Sequence, residues 1–172
     1  MALIRSAFLL LLFTQATYSQ AYPPAGPERE LKFNAGLFLA TGTAEASYEY
    51  YFGRDMSLGG TLYWDNDPED YNGNFGIGPN LRAYFGFQPR SGFFVEGFGL
   101  YFRGEDRNVL SDPERLRPYN SFALGLGAGN KWSTPSGRFT LELHGGIGRN
   151  LNSEIFQSDF IYRAGLNIGV RF

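Results

Sequence analysis

Along most of the chain from Leu31 to Phe172, apolar side chains recur at every second position, the period that puts them on one face of an extended strand. The last segment shows it most fully. Phe160, Tyr162, Ala164, Leu166, Ile168, Val170 and Phe172 share one face, and Ile161, Arg163, Gly165, Asn167, Gly169 and Arg171 share the other. The first segment repeats the pattern and predicts a strand in which Leu31, Phe33, Ala35, Leu37 and Leu39 oppose Lys32, Asn34, Gly36 and Phe38. Six more segments follow. Glu45 to Phe52 sets Tyr48, Tyr50 and Phe52 against Glu45, Ser47 and Glu49, and Met56 to Trp64 sets Leu58, Leu62 and Trp64 against Ser57, Thr61 and Tyr63. Asn74 to Phe87 opposes Phe75, Ile77, Leu81, Ala83 and Phe85 to Asn80, Arg82 and Tyr84. Ser121 to Trp132 and Arg138 to Ile147 place Lys131, Thr140, Glu142 and His144 opposite rows of Phe and Leu. Phe93 to Phe102 is apolar on both faces, and only Glu96 orients it: with Glu96 among the charges, Val95 and Tyr101 fall with the apolar set.

Eight strands at this spacing predict an all-β sandwich or closed barrel. Tight turns at Gly53-Arg54, Gln88 to Ser91 and Ser133 to Gly137 alternate with longer polar loops at Asp65 to Asn72, Gly104 to Tyr119 and Asn150 to Asp159. In an up-and-down meander every second connection lies at the same end, so the turns gather at one end and the loops at the other. That is the layout of an antiparallel transmembrane β-barrel. One connection departs from it, since Thr41 to Thr43 should be a loop and is short.

Composition narrows the chemistry. The 172 residues hold 23 Gly, 17 Phe, 11 Tyr, 2 Trp, no Cys and 1 His. Without cysteine there is no disulfide framework, thiolate metal site or cysteine nucleophile, and one histidine excludes a multi-histidine metal centre. We therefore expect no metal and no cofactor. A net charge of -2 lacks the basic surface that nucleic acid requires.

A soluble ligand-carrying barrel and an outer-membrane barrel both alternate, with opposite sidedness. Bulky apolar faces against faces rich in Gly, Ser, Thr and Asn favour bulky side chains outside, because an eight-stranded interior is only wide enough for side chains to fill. Phe52, Trp64, Phe85, Phe87, Trp132, Phe139, Tyr162 and Phe172 fall near strand ends, as in the aromatic girdles at membrane interfaces. The end of the chain, Gly165-Leu166-Asn167-Ile168-Gly169-Val170-Arg171-Phe172, resembles the C-terminal strand of outer-membrane barrels, whose final aromatic is an assembly signal. The layout over residues 31–172 is similar to the small eight-stranded OmpA/OmpX-like barrels, and Gly78-Pro79-Asn80-Leu81-Arg82-Ala83-Tyr84 resembles a segment of barrel families of that class. The resemblance implies a location in the cell outer membrane, with Phe172 as assembly signal and the barrel-assembly machinery, membrane lipid and lipopolysaccharide as partners.

With this sidedness the inward faces carry Lys32, Arg82, Lys131, Arg163 and Arg171 with Glu45, Glu49, Glu96 and Glu142, and His144 beside them. Paired charge is tolerable in a narrow lumen and isolated charge is not. The expected function is therefore non-enzymatic, a structural or surface-interaction role with a salt-bridged plug. Alternatives are a narrow pore, a secreted lipocalin-like carrier and a lipid-modifying hydrolase. For the last, Thr140, Glu142 and His144 share a face, yet position 146 is Gly146, where the lipid A deacylase barrels carry a serine two residues from their histidine. The acidic loop with Asp65, Asp67, Glu69 and Asp70 is interrupted by Pro68 and lacks calcium-loop spacing. In the longest loop, Arg107, Arg115 and Arg117 are candidates to pair with lipopolysaccharide phosphates.

The first 19 residues read as a signal peptide: Arg5, an apolar run from Ala7 to Phe13, and small residues at Ala16, Ser19 and Ala21. That run is shorter than the roughly 20 residues a spanning helix needs. Residues 20–30, rich in proline, read as a short tail ahead of a barrel at 31–172. Amino-terminal sequencing of exported protein should begin at Gln20; a first residue of Met1 would exclude cleavage.

Overall fold

The computed structural model describes residues 28–66, 72–106, 117–152 and 159–172. Eight strands form one closed antiparallel barrel in chain order: β1 (Arg29–Asn34), β2 (Ala44–Tyr51), β3 (Met56–Trp64), β4 (Phe75–Tyr84), β5 (Gly92–Asp106), β6 (Arg117–Ser133), β7 (Phe139–Asn150) and β8 (Phe160–Arg171). The β1–β8 pairing closes it, from Glu30 opposite Arg171 to Asn34 opposite Asn167. Arg29 and Phe172 exchange backbone hydrogen bonds at 3.2 and 2.9 Å, so the start of β1 and the end of β8 lie with the tight turns. The signal peptide expected at 1–19 and most of the tail lie outside the described residues. Arg29 and Glu30, read as the end of that tail, are already strand.

The alternation works as expected on strands β2 to β8. Leu58, Leu81, Leu124, Leu141, Leu166, Ile168 and Val170 are exposed on the outer wall, and Glu142 and Arg163 are buried inside. This is the reverse of what a carrier with a dry apolar cavity needs. Outer-wall charge sits at the rims, with Arg29, Arg54 and Arg138 at the turn end and Arg103 and Arg149 at the loop end.

Two corrections follow. First, the strand expected to run to Leu39 stops at Asn34, and Ala35–Thr41 is a helix, α1. Ala-Gly-Leu-Phe-Leu-Ala-Thr is apolar up to Thr41, so its period is ambiguous. The capping residues decide it. The Asn34 side chain accepts from Leu37 N at 3.0 Å, and Gly42, at φ 81°, closes the other end by donating to Phe38 O at 2.9 Å. The helix is also why the Thr41 to Thr43 connection looked too short. Second, the interior is not uniformly small and polar. Val95 and Tyr101 do face outward, but β5 directs Phe94, Phe98, Leu100 and Phe102 inward. Phe98, Leu100 and Phe102 pack with Tyr63, Ala123 and Ile161 toward the loop end, and Phe94 packs with Tyr51 and Tyr84 toward the turn end. Two apolar layers thus bracket the polar lumen.

Glycine makes room for them. A Cβ at Gly129 would lie 2.6 Å from Phe94 Cζ and 2.5 Å from Leu143 O, and one at Gly146 would lie 3.2 Å from Phe98 Cε1. The aromatic rings of β5 occupy volume that side chains on β6 and β7 would otherwise fill. Gly129→Val should therefore lower stability by about 1–3 kcal/mol through overpacking, read as a lower unfolding midpoint in urea; an unchanged midpoint would show that Phe94 is not held against β6.

Candidate ionic core

The alternation brings all ten sequence-predicted lumen residues, Lys32, Glu45, Glu49, Arg82, Glu96, Lys131, Glu142, His144, Arg163 and Arg171, into the buried interior. Their side chains converge from every strand but β3. At the centre, Glu49 Oε2 meets Lys32 Nζ at 2.7 Å, Lys131 Nζ at 2.8 Å and Arg82 Nη1 at 3.5 Å. Glu142 Oε2 takes the same three cations, Arg82 Nη1 at 2.8 Å, Lys131 Nζ at 3.1 Å and Lys32 Nζ at 3.3 Å. Two carboxylates and three cations from β1, β2, β4, β6 and β7 thereby tie opposite walls together.

Neighbouring groups supply further hydrogen bonds. Glu49 Oε1 accepts from Ser57 and from the Tyr84 hydroxyl. Lys131 Nζ also donates to the hydroxyls of Tyr51 and Tyr84, both at 2.9 Å. Toward the loop end, Glu96 accepts from Arg82 Nε at 2.5 Å and Asn80 Nδ2 at 2.9 Å, with Arg163 Nη1 at 3.4 Å. Arg163 Nη2 stands 3.9 Å from Glu45 Oε2, and Glu45 Oε1 accepts from Asn34 Nδ2 at 3.0 Å.

Sequence reasoning missed one member. Glu30, assigned to the tail, is wholly buried and serves the turn end of the core. It accepts from the Tyr51 hydroxyl and from Thr140 Oγ1, and pairs with Arg171 Nε at 3.0 Å and Lys131 Nζ at 3.2 Å. The signal was present, because Glu30 has the parity of Lys32 and Asn34. Including it, strand inner faces among the described residues carry five carboxylates and five Lys or Arg side chains. Arg90 lies beside the turn-end layer, its guanidinium 5.2 Å from the Tyr51 ring centroid and its carbonyl accepting from Arg171. Asp65, read as part of a polar, acidic loop, is buried and accepts from Thr43. Asp67, Glu69, Asp70, Arg107 and Arg115 lie outside the described residues. The segment read as a long loop begins only after Asp106, because Gly104 to Asp106 and Arg117 to Tyr119 are strand.

His144 does not gather the groups a hydrolase would need. Its Nδ1 is 3.2 Å from Asn167 Nδ2 and 3.5 Å from Glu142 Oε1, while the Thr140 hydroxyl is turned to Glu30. Phe172 takes no part in the core and is exposed at the turn-end rim.

Among solved structures, the chain resembles the N-terminal β-barrel domain of Pseudomonas aeruginosa OprF, with a TM-score of 0.55 and 16% sequence identity, covering 84% of this chain and 96% of that one. The two share the eight-stranded barrel fold. No protein-family model matches the chain, and no curated protein matches it in sequence.

The arrangement makes each charge conditional on the others. Removing one carboxylate strands three buried cations on the survivor, and breaking a buried ion pair costs about 3–5 kcal/mol. Glu142→Gln should therefore lower stability in a urea titration by that order. Replacing exposed Arg138 by Gln should change it little, since exposed ion pairs contribute about 0–1 kcal/mol. Equal effects at the two positions would refute the linked core.

Proposed function

We propose that the protein is an integral barrel of a bacterial outer membrane, with its tight turns and both chain ends toward the periplasm and its loops outside. The observation that carries this reading is the inverted wall. The belt of exposed Leu, Ile and Val has rings of exposed aromatics at either end, Phe52, Phe85, Phe87, Trp132, Phe139 and Phe172 at one and Trp64, Phe160 and Tyr162 at the other. Water has no use for such a surface, whereas hydrocarbon flanked by two interfaces matches it. A closed ladder is one of the two backbone arrangements that hydrocarbon tolerates. The predicted signal peptide, the C-terminal pattern ending in Phe172 as assembly signal, and the fold shared with the OprF barrel support the same location.

Within that location the role is structural or surface-presenting and non-enzymatic. The bracketed ionic core supports a plug in place of a conducting path: two apolar layers and a salt-bridged middle occupy the axis. The loops are the parts offered outward, and the arginines at 107 and 115 suit lipopolysaccharide phosphates. Assembly of such a barrel implies an encounter with the barrel-assembly machinery.

The natural chain has no cysteine, so single introduced cysteines report unambiguously. At Leu166, Asn167, Ile168 and Gly169 in turn, lipid-borne quenchers should reach a fluorophore at 166 and 168 and miss one at 167 and 169. The intact protein should fractionate with the outer membrane, migrate heat-modifiably and give no steady single-channel conductance. Recovery as soluble periplasmic protein would overturn the location, and reproducible conductance would overturn the plug.

A further inference from the structure

The barrel wall has a notch. Pairing of β1 with β8 ends at Asn34 opposite Asn167, whereas β8 runs on to Phe160. Along this stretch α1 takes the place of a strand, packed so closely that a Cβ on Gly36 would lie 2.9 Å from Leu166 Cβ. On the β8 edge that β1 leaves uncovered, the carbonyls of Ala164 and Tyr162 accept from side-chain amides, Asn34 Nδ2 at 3.4 Å and Asn72 Nδ2 at 3.1 Å. Asn34 does three things at once: it caps α1, meets this edge, and donates to Glu45 in the ionic core.

Behind the notch lies the least satisfied part of the lumen. Glu45 on β2 and Arg163 on β8 flank it from inside. Glu45 Oε2, Asn80 Oδ1 and His144 Nε2 are buried without a hydrogen-bond partner. Each such group costs about 1–3 kcal/mol, and native interiors hold few of them. Contacts join them in one region: Asn80 and Arg163 share Glu96, while Asn34 and His144 both crowd Gly165. Outside, an apolar groove of about 260 Å³ lined by Leu31, Ala46, Tyr48, Gly60, Leu62 and Ile77 crosses β1 to β4, and its Ala46 is the neighbour of Glu45 on β2.

Groove, notch and unsatisfied polar region together have the form of an amphiphile site. We propose that the notch is a lateral port, closed by α1 and latched by Asn34, that admits a single-chain amphiphile from the bilayer. The alkyl chain lies in the groove. The head donates hydrogen bonds, through hydroxyl or amine groups, to Glu45 Oε2 and Asn80 Oδ1, which an ionised carboxylate head, having no donor, cannot supply. The inference rests on the membrane reading above. Protein that fractionates with the outer membrane but fails the test below loses only the port.

The test uses the full mature chain in phosphatidylcholine nanodiscs, a lipid whose head group donates no hydrogen bond. His144 is the only histidine, so imidazole labelling gives one signal. Monododecanoylglycerol or dodecylamine should shift that signal saturably, and dodecanoate should not; the two active arms distinguish a hydroxyl from an amine head. Oxidising the double variant Gly36→Cys, Leu166→Cys should abolish the shift, and reduction should restore it. Asn34→Ala, which frees the latch, should lower the midpoint about tenfold by raising the open population. The port is overturned if neither donor head shifts the signal, if dodecanoate shifts it equally, or if the shift survives cross-linking. It is also overturned if the cysteine pair will not oxidise in heat-modifiable protein, or if Asn34→Ala leaves the midpoint unchanged.

Discussion

The balance of charge inside the barrel is the constraint on which the rest of the structure depends. An eight-stranded barrel has room for side chains but little for water, so an ionised group there must find its counter-charge in the protein. Lys131 shows how fully this is met: Glu30, Glu49 and Glu142 surround its ammonium, and two tyrosine hydroxyls complete the shell. Partners separated by the full circumference in sequence, such as Glu30 and Arg171, become neighbours only when β1 meets β8. The ionic core therefore reports closure. A barrel open at the β1–β8 seam would leave Lys32 and Glu30 away from Glu142 and Arg171, and the charge balance would fail.

That balance explains the two apolar layers. Charges in a lumen open to water at both mouths would exchange partners with solvent and lose strength through dielectric screening. Tyr51, Tyr84 and Phe94 toward one end, and Phe98, Leu100, Phe102 and Ile161 toward the other, hold solvent from the middle. The tyrosines belong to both systems, with rings in the apolar layer and hydroxyls on the carboxylates below.

How much of this was legible in the sequence follows from what alternation can encode. Parity assigns a face, so it placed Glu49, Arg82, Lys131 and Glu142 inside without knowing their partners. It works equally well for Glu30, which was lost only because proline upstream suggested a tail. Parity fails where a segment is apolar on both faces. In Ala35–Thr41 the capping residues, Asn34 and Gly42, carried the information that the side-chain period did not. In β5, Glu96 oriented the strand correctly, but composition could not reveal that glycines on β6 and β7 leave space for Phe94 and Phe98. Burial of Asp65 was illegible for another reason, since its partner Thr43 is set by the path of the chain leaving α1.

The same backbone constraint gives α1 its importance. An uncovered strand edge leaves peptide groups without partners, and each one buried so costs about 1–3 kcal/mol. The protein meets this at the β8 edge with a helix that satisfies its own backbone and with two asparagine amides that stand in for the missing strand. Such a repair differs from a ladder in one respect. A ladder distributes its hydrogen bonds over every residue, whereas a capped helix of 7 residues is held at few points. With Asn34 serving the cap, the edge and Glu45, any displacement of α1 is felt at once by the polar interior.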